Sequence, residues 1–273
     1  MPQFFHNEPV SDAEQVEIRD AATVLIIADR PDLQVLMVER TSRAAFAPSA
    51  WVFPGGRVDR SDAIGANEHI VGLDDATAST MLDVETNGLA WWVAAIRETL
   101  EEAGLLLGAD GAPDDVIDSI REAVHADPAA LLGALAENNL HLDATALYEV
   151  GRFITPVGPP RRFDARFFIA VGPDGQTPQH DEEEVVKHLW IRPAEALERW
   201  RNDDFPMMSV THRMLACLDR FETTAAAMAV AREQRPAQHV RVNDPDGAYD
   251  VVLPGEPGYE TAEKEIEHGW VRF

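Results

Sequence analysis

The sequence predicts an α/β or α+β sandwich rather than a helical bundle, because strand-like and helix-like segments alternate along its 273 residues. Short runs rich in β-branched and aromatic residues recur at 22–28, 35–38, 148–154, 163–171 and 185–191. Helix-like stretches fall at 90–103, 114–138, 193–200 and 207–232. A hydrophobic content of 45% suffices for one large domain, or for one domain with additions.

Residues 1–20 are polar and read as a lead-in. The runs at 22–28 and 35–38 flank Asp29-Arg30-Pro31-Asp32, the pattern of a β-hairpin. Trp51-Val52-Phe53 is a third short strand, stopped by the turn residues Pro54-Gly55-Gly56. Residues 63–89 are mixed and acidic, carry Gly65, Gly72 and Gly88, and read as an insertion. A strong helix runs from Ala90 to Ala103 and ends at Gly104, since glycine enters the left-handed conformation just past a helix end. Residues 114–138 read as two shorter helices. Residues 236–273 hold Pro236, Pro245, Pro254 and Pro257 and read as an irregular tail with two short strands. The expected division is a lead-in at 1–20, a main domain at 21–235 and the tail at 236–273.

Lys and Arg total 23 against 48 Asp and Glu, a formal net charge of −25. Nucleic-acid binding needs clustered basic residues on phosphates, and anionic membranes repel such a chain, so neither partner is expected. An anionic substrate would need its charge offset locally, and a divalent metal does this. One cysteine, Cys217, allows no intrachain disulfide and fits a reducing cytoplasm. The first residues lack the basic and apolar regions of a signal peptide. No apolar stretch approaches the roughly 18–20 residues of a membrane-spanning helix. A cytoplasmic protein is expected.

Chemistry concentrates on the helix at 92–107. At about 100° per residue, Trp92, Ile96, Leu100, Ala103 and Leu107 form one stripe, and Glu98, Glu101 and Glu102 lie opposite. Residues three and four apart are neighbours, so the three carboxylates converge and Arg97 can pair with Glu101. A solvated acidic face is the routine explanation. Two facts favour metal binding instead. Clustered carboxylate oxygens suit hard cations such as Mg²⁺, and a Gly-Gly turn upstream lets a backbone carbonyl approach an ion closely.

RETLEEAGL at 97–105 resembles the second half of the Nudix box, and WVFPGGRVDRSD at 51–62 resembles its first half. In that alignment Gly56 opens the box, Asp62 replaces its first Glu, and Arg97, Glu98, Glu101, Glu102, Gly104 and Leu105 match directly. Thr99 stands where an aliphatic residue is usual. Forty residues separate Gly56 from Arg97, about 27 more than in an uninterrupted box. Such an interrupted box resembles the branch that includes peroxisomal coenzyme A diphosphatases. TPVGPPRRFDARFFIA at 155–170 and the segment Trp190, Pro193, Glu195-Ala196-Leu197 resemble that branch too. The resemblance implies a Nudix-type α/β/α sandwich with a mixed sheet, an insertion inside the box and extra C-terminal helices.

It also implies roles. Glu98, Glu101 and Glu102 would hold Mg²⁺ or Mn²⁺ with the Gly56 carbonyl, and Glu98 is further expected to take part in catalysis. Gly55, Arg97 and Gly104 would be structural, with Arg97 clamping a box carboxylate. Members of the family often recruit an acid from a later loop. HDEEEVV at 180–186 is the candidate loop, with Glu184 chosen over Glu182 and Glu183 because it lies six residues before Trp190. Arg40, Arg43, Arg161, Arg162 and Phe163 are candidates for contacting a nucleotide substrate. Arg40 and Arg43 precede the Gly-Gly turn, and the other three offer charge beside an aromatic face. Three readings stay open: a diphosphatase of coenzyme A or acyl-coenzyme A, the same chemistry on ADP-ribose or a dinucleotide, and an inert Nudix module that only binds a nucleotide. Family members are often dimers, so a homodimer is a further open expectation.

Overall fold

The computed structural model describes residues 16–44, 47–155, 160–179, 185–243, 250–262 and 264–273. Strands β1 (Ile18–Asp29) and β2 (Leu33–Arg40) form the expected hairpin. Two short strands follow, β3 (Trp51–Val52) and β4 (Gly55–Arg57). The insertion holds α1 (Ala66–His69), β5 (Ile70–Val71) and α2 (Asp75–Leu82). Then come α3 (Leu89–Ala103), α4 (Asp114–Ala126), α5 (Leu131–Glu137) and the short β6 (Leu142–Asp143). Three strands, β7 (Tyr148–Ile154), β8 (Arg162–Val171) and β9 (Val185–Ile191), precede α6 (Pro193–Arg201), α7 (Ser209–Leu218) and α8 (Thr224–Glu233). The chain closes with β10 (Gln238–Asn243), β11 (Asp250–Val252) and β12 (Lys264–Val271).

The main sheet runs β11-β10-β12-β7-β8-β1-β2-β3, with β4 also paired to β1 and β9 to β2. β1 and β8 are parallel and the other pairs are antiparallel, so the sheet is mixed. β1 lies at its centre, where Val24, Leu25, Ile26 and Ile27 are fully buried. That unbroken apolar run is what a strand covered on both faces requires. Val24, Ile26, Leu36 and Phe168 pack against α3, α4 and α5. Leu25, Ile27, Phe167 and Ile169 pack against α6, α7 and α8. Helices on both faces make the α/β/α sandwich.

Two expectations change. The segment 236–273 carries three strands rather than an irregular tail, and β12 pairs with β7 of the main sheet. Pro236 precedes β10, while Pro254 and Pro257 lie between β11 and β12, so these prolines mark connections instead of breaking strands. Val240 and Val242 alternate with exposed or half-buried neighbours and complete the second core.

The segment read only as an insertion is folded and packed into the main core. Ala66, Ile70, Ala78 and Leu82 join the core of α3 and α4. Gly88 lets α2 and α3 touch, because a Cβ there would lie 2.2 Å from the Ser79 nitrogen. Asp75 of α2 accepts from the Asn87 and Leu89 backbone N–H groups, both at 3.0 Å. A carboxylate thus satisfies donors that a helix start leaves open and opposes its dipole. Asp75→Ala should destabilise the protein by about 1–2 kcal/mol, read as a shifted urea midpoint at unchanged slope.

His212 of α7 is buried and stacked on Trp200 at 4.2 Å between ring centroids. Burial, then the nearby charges of Arg213 and Arg201, push its pKa down to about 4. The unfolded chain takes up a proton near pH 6.5 and the folded one does not, so this contribution is full above about pH 6.5 and lost as pH falls towards about 4. His212→Phe keeps an aromatic ring. It should make stability fall less steeply across that window, as measured by denaturation at several pH values.

Candidate active site

α3 is not an exposed amphipathic helix. Its apolar stripe is buried as expected, and Arg97, Thr99 and Glu102 are buried as well. Leu107 lies beyond the helix end at Gly104, whose φ of 68° is the left-handed turn expected of glycine. The acidic side faces β4 and the turn at Arg60–Ala63, so the routine reading of a solvated face does not apply.

Arg97 organises this side. Its Nε and Nη2 donate to the two oxygens of Asp62 at 2.8 and 3.0 Å. Its Nη1 donates to Glu98 and to Glu101, each at 2.8 Å, and Nη2 also reaches the Arg57 carbonyl at 2.9 Å. Arg97 and Asp62 are each only 2% exposed. Burial pulls the Arg97 pKa down, but the bonds to Asp62 and the charges of Glu98 and Asp62 outweigh it and raise the pKa above its ordinary value. Asp62 is itself oriented, accepting from the Asp59 N–H at 2.7 Å. The shorter Asp reaches because the turn carries it against the helix. Burial pushes the Glu98 pKa up to about 7, Arg97 opposes the shift, and Glu101 and Asp62 add to it.

The glycine turn closes the other side. The Gly55 N–H donates to Glu102 at 2.9 Å. A Cβ on Gly55 would lie 2.4 Å from the Ala22 carbonyl oxygen, so β1 demands glycine there. A Cβ on Gly56 would lie 2.5 Å from the Glu98 carboxyl carbon. Gly56 therefore makes room for that carboxylate. Arg40 at the end of β2 brings Nη1 to 3.8 Å from Glu102, and its buried Nε has no hydrogen-bond partner among the described residues.

The other expected residues are placed differently. Arg43 is exposed in the turn after β2. Arg161 is exposed, while Arg162 is buried and donates to the Thr155 carbonyl at 3.0 Å. Arg162 and Phe163 pair with Ile18 and Arg19, whereas Gly56 pairs with Ala22. Three to four residues of strand, about 10–13 Å, thus separate them from the carboxylates. Arg166 stands level with Gly56 but is bound to Glu149 and to the Leu82 carbonyl. Glu182, Glu183 and Glu184 lie outside the described residues. Sequence reading missed Asp75, whose capping signal is hidden because its helix start is 14 residues away. It also missed Gln176, which accepts from the Leu106 N–H at 2.9 Å and donates to the Leu106 carbonyl at 3.2 Å, holding the β8–β9 connection to the end of α3.

Among the described residues, no three His, Cys, Asp or Glu side chains already converge as a ready cation cage. The donor set nevertheless fits a hard divalent ion. Glu98 and Glu102 face one glycine turn, and burial among like charges makes the ionised Glu98 costly without a further cation.

A mixed sheet between helix layers, with a helical Arg-Glu pair packed against a Gly-Gly turn that 40 residues separate from it in sequence, defines a Nudix-type hydrolase site. The NUDT19 Nudix domain model matches residues 77–210. A NUDIX hydrolase from Alicyclobacillus acidocaldarius shares the fold with a TM-score of 0.65 and 31% identity, covering 79% of this chain and 97% of that one. The chain belongs to the Nudix hydrolase family. Acyl-coenzyme A diphosphatase NUDT19 of Gallus gallus is 29% identical over 246 residues, 68% of this chain and 64% of that protein. Its Homo sapiens counterpart is 30% identical over 205 residues, 60% of this chain and 55% of that protein. The chain thus matches less than two thirds of the length of these relatives.

Gly56→Ala tests the carboxylate cradle. The flexible Glu98 end can give way, so the melting temperature should hold within a few degrees. Turnover should fall at least about tenfold where Glu98 takes part in the reaction, because a small displacement of a catalytic group is costly. Unchanged turnover would show that Glu98 needs no such approach.

Proposed function

We propose that this chain hydrolyses a phosphoanhydride bond in a nucleoside diphosphate linked to another group, with coenzyme A or acyl-coenzyme A as the substrate. The observation behind this reading is that Glu98 and Glu102 lie against one glycine turn while Arg97 holds Glu98 and Glu101 on the same side of α3. The name of the NUDT19 relatives supports the substrate.

Glu98, Glu101 and Glu102 would hold Mg²⁺ or Mn²⁺, with the Gly56 carbonyl as a further ligand. A bound ion of this kind supplies charge neutralisation for the diphosphate and acidifies a water molecule. Arg97 fixes the inner carboxylate oxygens, so the acids keep their places as charge builds on the substrate. Arg40 lies beside Glu102 and offers a planar pair of donors to a phosphate oxygen. Arg43 follows in the adjacent turn as a second contact. The water oxygen bonds to one phosphorus, the bridging P–O bond breaks with its electrons on the leaving phosphate, and the water proton passes to a carboxylate. Glu184 is assigned that last role. A cytoplasmic location and a homodimer remain part of this reading on the sequence alone.

Incubation with Mg²⁺ or Mn²⁺ and coenzyme A, acetyl-coenzyme A, ADP-ribose, NADH or diadenosine polyphosphates tests it. Coenzyme A should yield 3′,5′-ADP and 4′-phosphopantetheine, and Glu102→Gln should not. Turnover of another compound instead would remove the assigned substrate, and binding without turnover would favour an inert module. Glu184→Gln should lower kcat at least about tenfold, and wild-type turnover would remove Glu184 from the mechanism.

A further inference from the structure

Beyond Arg40, strand register lays out a row of side chains on the α3 side of the sheet. β2 and β9 pair with Leu36 opposite Trp190, Val38 opposite His188 and Arg40 opposite Val185. Leu36 sits in the core under α3 and Trp190 packs against that core, while Arg40 reaches Glu102 of α3. Trp190 and Arg40 therefore share a face. Four strand residues, about 13 Å, separate their levels.

Trp190 is a half-buried indole at the edge strand β9. Gly172 fits against its rim, where a Cβ would lie 3.1 Å from Cη2. The indole Nε1–H is buried and has no acceptor among the described residues. Arg30, exposed at the β1–β2 turn, holds its guanidinium 4.5 Å from the centre of the indole ring. In a chain with 48 acidic residues, Arg30 makes no ion pair among the described residues and stacks on an aromatic face instead.

We propose that Arg30 stacked on Trp190 is the subsite for the nucleobase of the substrate. This rests on the reading of the chain as a nucleotide hydrolase and adds where the nucleoside lies. A guanidinium backed by an indole is a planar cation already fixed in orientation, and a nucleobase completes the stack at little ordering cost. With the diphosphate between Arg40 and the box carboxylates, the ribose runs along the half-buried edge strand β9 past His188. The base then stacks on the exposed guanidinium that the indole backs. An apolar chain would gain nothing from the exposed cation, so the group on the far side of the diphosphate points the other way.

Equilibrium binding of ADP, inorganic pyrophosphate and pantetheine, each with Mg²⁺, separates the terms. It is measured on the full chain and on Arg30→Gln, Trp190→Leu and Trp190→Phe. Arg30→Gln and Trp190→Leu should each weaken ADP at least about fivefold and leave pyrophosphate within about twofold. Trp190→Phe restores a ring and should retain most of the ADP affinity. Arg30 is exposed, so Arg30→Gln decides the matter even if Trp190→Leu does not fold. Unchanged ADP affinity in Arg30→Gln, equal weakening of pyrophosphate, loss of pantetheine in place of ADP, or no ADP binding by the wild type at millimolar concentration would each overturn the subsite. Failure of the hydrolase reading looks different: ADP binds as expected, and no nucleoside diphosphate derivative is turned over.

Discussion

Burying the Arg97 guanidinium is the constraint that the rest of the structure answers. A cation taken out of water is tolerated only when its N–H groups find acceptors and its charge finds partners. Asp62, Glu98, Glu101 and the Arg57 carbonyl supply them. Two of these partners come from the end of β4 and the turn after it, 40 and 35 residues earlier in sequence. The chain between must leave the site and return to it within one helix register. That requirement explains why the insertion is folded. α2 packs on the start of α3 and caps it through Asp75, which fixes where the helix begins and hence where its carboxylates fall.

The same constraint shapes the acids. Without Arg97, three carboxylates within one helical turn would repel each other and drift towards solvent. With it, Glu98 and Glu101 are drawn inward, and Glu102 is taken by the backbone of Gly55. The raised pKa of Glu98 shows the cost of that gathering, because burial and neighbouring negative charge disfavour its ionised form. In the proposed reading, a divalent cation would offset that cost. The glycine turn is part of the same device, since any side chain at 55 or 56 would displace β1 or Glu98.

Much of this was legible in the sequence. The hairpin, the third strand, the helix at 90–103 with Gly104 at its end, and most later strands and helices follow from hydrophobic period and turn residues. The stretch 207–232, read as one helix, is two, α7 and α8, broken at 219–223. The two half-boxes named the carboxylates and Arg97 directly. The tail was misread because its prolines drew attention and its alternating strand Gln238–Asn243 is short. The pairing of its last strand, β12, with β7 depends on a partner about 120 residues away. Arg161, Arg162 and Phe163 looked suitable by type, but register sets them below the level of Gly56, and Arg162 is committed to a backbone carbonyl.

The sequence by itself determined most of the elements, the apolar run of β1 and the identity of the acids on α3, because these depend on local period and residue type. Only the tertiary structure decided which acid each donor of Arg97 takes, that Asp75 caps a helix in another segment, and that Arg30 lies over Trp190. Those outcomes depend on long-range register and close packing. A shift of one residue in β9, for example, would turn Trp190 to the other face of the sheet and away from Arg30.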